Sequence, residues 1–230
     1  MNYVGSKQRL AKDIIPIINT FLGGDNVFID ACCGGCNIVA NPKHEINAKK
    51  KIAFDNNKYL VALLNKFKID KPEPLNITKE EYKNVLLNKN NYEDWYVGYV
   101  GFLTTYRNVF FGGFADKFDH RNKEIESYNN LSRQDISQII IECRDLFSVS
   151  ANDAVIYIDP PYKGTKKYYT CFDYDKFWDK ARELSKNNIV LVSEQTIPDD
   201  VNILFSKPLK MMMKNNNDYV SRMEYLVKVG

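Results

Sequence analysis

The 230-residue chain predicts an α/β protein. Its expected architecture is an open, mostly parallel sheet with covered faces, an antiparallel hairpin at one edge, and a small, mostly helical insertion. Three observations predict it. Short apolar runs bounded by turn residues read as buried strands, as in Val27–Asp30 and Ala154–Ile158. Stretches with helical spacing of apolar residues separate these runs, and such alternation implies a sheet covered on both faces. Residues 68–131 break the alternation, and the chain is long enough for one core carrying a smaller insert.

The elements follow in order. Residues 8–22 place Leu10, Ile14, Ile15, Ile17, Ile18 and Phe21 at helical spacing, and Gly23-Gly24 stops the helix. The strand Val27-Phe28-Ile29-Asp30 runs into the small-residue turn Ala31 to Cys36, with a helix expected from Asn37. A second strand, Lys51–Phe54, ends at Asp55, and residues 58–67 form a helix through Leu60, Val61, Leu63, Leu64 and Phe67. Pro72 and Pro74 then open the insertion, in which polar helices precede an aromatic, glycine-rich stretch from Tyr96 to Phe118. The predicted division is a main domain of 1–67 and 132–230 with an inserted domain of 68–131. Ser132-Arg133-Gln134-Asp135 reads as a helix start, with Ile136, Ile139 and Ile140 as its apolar face. The strand 154–158, a helix over 175–186, a strand over 188–193, and terminal strands near 209–213 and 222–229 complete the chain. The last two, close in sequence, predict the edge hairpin.

Composition narrows the setting. Hydrophobic residues make up 44% of the chain, a globular value. No apolar stretch has the length of a bilayer span, and the opening residues Met1 to Lys7 are polar, so an intracellular, cytoplasmic protein without a membrane partner is expected. The five cysteines are an odd number, which suits free thiols in a reducing compartment. Cys33-x-x-Cys36 has no second pair at zinc spacing, and only two histidines exist, so no metal is expected. Net charge is +3, while residues 66–135 balance 11 basic against 11 acidic residues. The excess therefore lies outside the insert, and a neutral insert implies modest, salt-sensitive affinity for a polyanion.

Asp159-Pro160-Pro161-Tyr162 is the most informative segment. The strand before it delivers one carboxylate to a turn stiffened by two prolines, with an aromatic ring behind. Ligands of open α/β sheets bind beyond the carboxyl ends of the strands, so this is a pocket for a planar, amino-bearing substrate. Alone, Asp-Pro is an ordinary turn. Its neighbours decide. Asp30-Ala31-Cys32-Cys33-Gly34-Gly35 lets backbone approach a ligand closely, and Asp55 ends the next strand 25 residues after Asp30, where an acid can accept from ribose hydroxyls. G-x-G-x-x-G and G-x-x-x-x-G-K-[ST] are both absent, so a dinucleotide or nucleoside-triphosphate site is not supported.

Asn2-Tyr3-Val4-Gly5-Ser6-Lys7, Asp30 to Gly35, Asp55-Asn56, an insert and Asp159 to Tyr162, in that order, resemble the Dam-like, adenine-specific DNA methyltransferases of phage and bacterial type. The resemblance covers nearly the whole chain and implies a Rossmann-like methyltransferase sheet. Arg107 to Ala115, Phe172 to Trp178 and Val192 to Gln195 are similar to phage members. S-adenosyl-L-methionine is then the implied methyl donor, with S-adenosyl-L-homocysteine as product and no metal. Tyr3 and Lys7 correspond to the motif over the donor's methionine end. Asp30, Ala31, Cys32, Gly34 and Gly35 correspond to its amino-acid and sugar site, Asp55 and Asn56 to its ribose, and Arg144, within Cys143-Arg144-Asp145, to the flank of its adenine. The three cysteines at 32, 33 and 36 depart from the aromatic, aliphatic and glycine residues usual there.

The resemblance implies double-stranded DNA as partner, a monomer, and transfer to the exocyclic amino nitrogen of adenine. Hydrogen bonds from that amino group to Asp159 and the Pro160 carbonyl restore its lone pair for in-line attack, with Pro161 fixing the turn and Tyr162 stacking on a flipped base. Arg107, Asn108, Gly112 and Gly113 correspond to DNA-backbone contacts, with Arg121, Lys123 and Arg133 as further candidates. Lys163, Lys166 and Lys167, interleaved with tyrosines, suit phosphates and an unstacked strand. Two other readings stay open: a catalytically silent DNA-binding homologue, and amino methylation of cytosine or of RNA.

Overall fold

The structure, a computed structural model, describes residues 1–230 except 2, 4, 24–25, 107–108, 117–119, 162–171 and 213–218, and it leaves undescribed the side chains of 210–212 and 219–221. One seven-stranded sheet organises the molecule: β1 (Val27–Asp30), β2 (Lys50–Asp55), β3 (Ile139–Cys143), β4 (Ala154–Ile158), β5 (Ile189–Glu194), β6 (Val201–Met212) and β7 (Tyr219–Val229), in the order β3-β2-β1-β4-β5-β7-β6. The first five in that order pair in parallel, and β7 runs antiparallel to both β5 and β6. This is the Rossmann-like methyltransferase sheet with its antiparallel edge, as the sequence predicts.

Both faces are covered because β4 is apolar on both. Val155 and Tyr157 join one cluster, with Ile14 and Ile18 of α1 (Ala11–Thr20), Leu60 and Leu64 of α2 (Lys58–Ile69) and Val97 and Val100 of α4 (Asp94–Leu103). Ala154, Ile156 and Ile158 join the other, with Phe177 and Ala181 of α6 (Tyr174–Ser185). The strand's period of two thus divides its side chains between two helical layers.

In the 68–131 segment, α3 (Lys79–Leu87) starts at Thr78, whose hydroxyl accepts from Glu81 N–H at 3.1 Å. α4 packs against α2 where glycine removes the barrier. A Cβ at Gly98 would lie 2.1 Å from the Tyr59 carbonyl oxygen. The buried Glu124 of α5 (His120–Ser132) accepts from the N–H groups of Asn76 (2.9 Å) and Ile77 (3.2 Å) and from the Tyr99 hydroxyl (2.7 Å), tying α5 to α4 and to the chain before α3.

Three expectations are corrected. Ser132 ends α5 rather than starting a helix, and Ile139–Cys143 is β3, parallel to β2. Ile139 and Ile141 are buried while Ile140 is exposed, the alternation of a strand whose consecutive β-branched residues suit a pleated surface. Residues 31–40 run as successive turns instead of entering a helix at Asn37, because Cys36 adopts φ 56 and breaks the helical path. The terminal strands are much longer than their apolar cores, and Pro208 sits in β6, an edge strand that tolerates it. Among the described residues, no helix is long and apolar enough to cross a membrane.

Candidate active site

The sheet order reverses between β1 and β4, and the carboxyl ends of these neighbours hold Asp30 and Asp159. Asp30 pairs in register with Tyr157, two residues before Asp159. A crevice opens at such a reversal because the connecting segments leave on opposite sides. The turn after β1 is pinned by backbone: Ala31 N–H donates to the Tyr157 carbonyl (2.9 Å) and Cys33 N–H to the Phe54 carbonyl (2.8 Å). Asp55 holds it from below, one carboxylate oxygen accepting from Gly34 N–H at 3.0 Å and the other from Asn57 N–H at 2.8 Å. Gly34 has φ +48 and carries the Tyr3 ring, to which a Cβ would approach within 2.8 Å.

A cleft of about 1150 Å³, counting its open mouth, fills this edge of the sheet. Tyr3, Lys7, Asp30, Ala31, Cys32, Gly34, Gly35, Asp55, Asn56, Arg144, Asp159, Pro160 and Pro161 all line it, so the expected donor and catalytic positions converge, apart from Tyr162. That residue lies outside the described residues, as do Arg107, Asn108, Lys163, Lys166 and Lys167. The remaining DNA candidates do not line the cleft. Gly112 and Gly113 belong to the turn before Phe114, where Gly113 N–H donates to the Tyr82 hydroxyl at 3.1 Å. Arg121 and Lys123 sit on α5 beside Glu124 (3.4 Å) and Glu126 (3.6 Å), and Arg133 is exposed just after it.

The electrostatics are acidic around one lysine. Lys7 ion-pairs with Asp159 and lies 3.2 Å from Glu224, a β7 residue with no exposed surface. Burial pulls the Lys7 pKa down, but Asp159 and Glu224 outweigh it and the net shift is upward. Burial raises Asp159 to about 6 and Glu224 pushes the same way, against the pull of Lys7. Burial and the Asp159 charge lift Asp30 to about 8, although the Cys32 and Val39 N–H groups offset part of this. Its Oδ1 is buried with no hydrogen bond among the described residues. Burial carries Glu194, at the end of β5, to about 7. The thiols of Cys32 and Cys33 are pushed well up, the first by burial, the second by its hydrogen bond with Cys36 and then burial, so they are neutral small packing groups.

The sequence reading missed Glu224 and assigned no role to Glu194. Glu224 stands among other polar residues of β7, Ser221, Arg222 and Lys228, so its pattern does not single it out, and its partner Lys7 is at the other end of the chain. Phe147 was also missed. It follows Asp145, which caps a 3-10 turn by accepting from Phe147 N–H at 2.8 Å, and its ring stands 5.9 Å from Phe172 across an apolar wall of the cleft. The Asp-x-Phe pattern after a strand was the available signal.

A parallel sheet with an antiparallel edge, a glycine turn over one acid, a second acid on the next strand and an Asp-Pro-Pro turn beside them define a nucleoside-binding methyltransferase. The sequence profile of the D12 class of N6 adenine-specific DNA methyltransferases matches residues 3–198, and the chain belongs to this family. Its reaction is methylation of adenine N6 in DNA. No curated protein matches at a significant level. Among solved structures, an rRNA methyltransferase from Streptomyces viridochromogenes is 15% identical with TM-score 0.44, covering 99% of this chain and 86% of that one. A putative RNA methyltransferase from Pyrococcus horikoshii is 10% identical with TM-score 0.43, covering 96% and 84%. Magnesium protoporphyrin IX methyltransferase from Synechocystis, with bound S-adenosylmethionine, is 8% identical with TM-score 0.39, covering 97% and 80%.

Proposed function

We propose that this protein methylates adenine in duplex DNA by drawing a flipped base to Asp159 and the Pro160 carbonyl. The observation that carries this reading is the placement of Asp159, at the rim of the acidic cleft and ion-paired to Lys7. S-adenosylmethionine supplies an electrophilic methyl on a cationic sulfonium when bound. The cleft suits it: the orphaned Asp30 oxygen and the surplus of carboxylates favour a cation, the Gly34 turn seats the Tyr3 ring that lines the cleft, and the Phe147–Phe172 wall suits an adenine ring. Asp30 and the turn to Gly35 would hold the amino-acid end beneath Tyr3, Asp55 and Asn56 the ribose, and Arg144 with Phe147 the adenine flank.

Two acceptors facing both amino hydrogens of the target adenine draw N6 toward tetrahedral geometry and free its lone pair. Lys7 favours the ionised form of Asp159 and holds it in place, and the ionised carboxylate is an acceptor only, and the stronger one. The Tyr174 hydroxyl donates to the Pro161 carbonyl and anchors the turn to α6. Tyr162, next in sequence, is assigned to stack on the base. Residues 68–131 are proposed as target-recognition segment, with Arg107, Asn108, Gly112 and Gly113 at the DNA backbone. The acting species is proposed to be a metal-free cytoplasmic monomer in a bacterial or phage-infected cell.

The test is transfer of labelled methyl from S-adenosylmethionine to unmethylated genomic DNA, followed by digestion to nucleosides. Label in 6-methyladenine is expected, lost in Asp159→Ala by at least two orders of magnitude while donor affinity persists. Normal turnover by Asp159→Ala overturns the assigned mechanism. Label in cytosine, or in RNA but not DNA, overturns the substrate.

A further inference from the structure

The turn after β1 is held in a conformation it would not keep alone. Gly34 has φ 48, and Cys36, which is not a glycine, has φ 56. A left-handed residue with a Cβ costs free energy and persists only where its surroundings fix it. Backbone supplies part of the fixing: Cys36 N–H donates to the Cys33 carbonyl at 2.8 Å, and Ala40 N–H to the Cys36 carbonyl at 3.0 Å. Neither bond holds the carbonyl of Gly35, which lies between the two left-handed residues and belongs to the lining of the cleft.

Gln134 holds it. Its Nε2 donates to the Gly35 carbonyl at 2.8 Å and to Asn37 Oδ1 at 3.4 Å. Asn37 is itself fixed, its Nδ2 donating to the Met1 carbonyl at 2.9 Å. Gln134 comes from far along the chain, between the end of α5 and the start of β3. Its own N–H donates to the Leu131 carbonyl at 3.1 Å, which ties it to α5. The residue is 7% exposed, and its Oε1 is buried with no hydrogen bond among the described residues. A buried oxygen without a donor is a cost that an apolar side chain would avoid. What the amide contributes is therefore its donor side. Turned over, it would set Oε1 against the Gly35 carbonyl, two acceptors face to face, so the hydrogen-bond network assigns this orientation.

We propose that Gln134 is a positioning residue of the donor site, which clamps the 34–37 turn in its ligand-ready form and so sets affinity for the amino-acid end of S-adenosylmethionine. This rests on the reading of the cleft as the donor site. Gln134 does not line the cleft and acts through Gly35 and Asn37, which do. Without its amide the turn divides its time among other conformations, and apparent affinity falls with the fraction that stays competent. The end of α5 thereby reaches the donor through one side chain.

The test is calorimetric binding of S-adenosylmethionine, S-adenosylhomocysteine and methylthioadenosine to the full chain. The last has the nucleoside without the amino-acid end. Gln134→Ala should weaken the first two by roughly tenfold and leave methylthioadenosine unchanged. Methyl transfer at saturating donor should keep its kcat, the loss appearing in KM for the donor. A general loosening of the fold would weaken all the ligands alike. Gln134→Glu keeps the size and serves where the Ala variant folds poorly. An ionised carboxyl there repels the Gly35 carbonyl and a protonated one donates to it. Its affinity for S-adenosylhomocysteine, relative to wild type, should therefore fall as pH rises. Wild-type affinities in Gln134→Ala, an equal loss for methylthioadenosine, or a pH-independent ratio in Gln134→Glu overturns the clamp and leaves the donor site standing. A wild-type protein that binds none of the ligands overturns the donor-site reading and the clamp with it.

Discussion

Lys7 is shared by two carboxylates, and this arrangement decides how Asp159 titrates. With Asp159 and Glu224 both ionised, one cation serves two anions in a buried space, where each uncompensated charge is costly. Asp159 is therefore raised to about 6, chiefly by burial, with Glu224 adding to the shift. On the proposed mechanism the ionised Asp159 is the stronger acceptor for the adenine amino group, so kcat/KM should rise with pH through a midpoint near 6. Glu224→Gln removes one of the two like charges while keeping the shape. The midpoint should then move to lower pH, measurable as a shift of the acidic limb of the kcat/KM profile. A profile that keeps its midpoint would mean Glu224 acts by packing alone. Asp30, Asp55 and Asp159 were legible in the sequence because each closes an apolar run, and the end of a buried strand is where a sheet presents ligand groups. Glu224 was not, because its role depends on a tertiary neighbour.

At the scale of elements, the contact of α2 with α4 depends on one missing side chain. The Tyr59 carbonyl approaches the Gly98 backbone so closely that a Cβ would lie 2.1 Å from the oxygen and 3.0 Å from the Leu63 Cβ. Backbone cannot yield as the tip of a flexible side chain can. Gly98→Ala should therefore push the helices apart and cost about 1–3 kcal/mol, with Tm falling by roughly 2–4 °C for each kcal/mol in a chain of this size. Thermal unfolding followed by circular dichroism measures it, and an unchanged Tm would show that the helices slide freely. The parallel strands were legible because continuous apolar runs have few other destinations. β3 was misread because Ile136, Ile139 and Ile140 fit helical spacing as well, and only pairing to β2 selects the strand. Of the terminal hairpin, 209–213 and 222–229 were read as strands, while 201–208 and 219–221 were not. The missed segments carry Asn202, Ser206, Lys207 and Pro208 among their apolar residues, a mixture that shows no strand alternation.

For the whole molecule, buried acids in and near the cleft store strain in the form of displaced protons. Burial and like charges lift Asp30 to about 8, Glu194 to about 7 and Asp159 to about 6, and burial raises Asp55 as well. In the unfolded chain these acids titrate near 4. Between about pH 4 and 8 the folded state therefore binds more protons through them than the unfolded state does, and their stabilising contribution is lost as pH rises through each folded value. The Met1 amino group works the other way. Burial lowers it to about 5 from 8.0, which adds stability as pH rises over part of the same window. One amine stands against four acids, so the donor-free protein should lose stability between about pH 5 and pH 8. S-adenosylmethionine would bring a sulfonium and an ammonium to Asp30, Asp55 and Asp159, the raised carboxylates that line the cleft. A cation beside them favours their ionised forms and cancels the reason for the loss. Tm measured with saturating donor should then vary less with pH than Tm without it, so that the stabilisation by donor grows toward pH 8. S-adenosylhomocysteine has no sulfonium charge and should flatten the profile less. Identical pH profiles with and without donor would mean that these carboxylates do not face the bound ligand, and would separate the acidic cleft from methyl transfer.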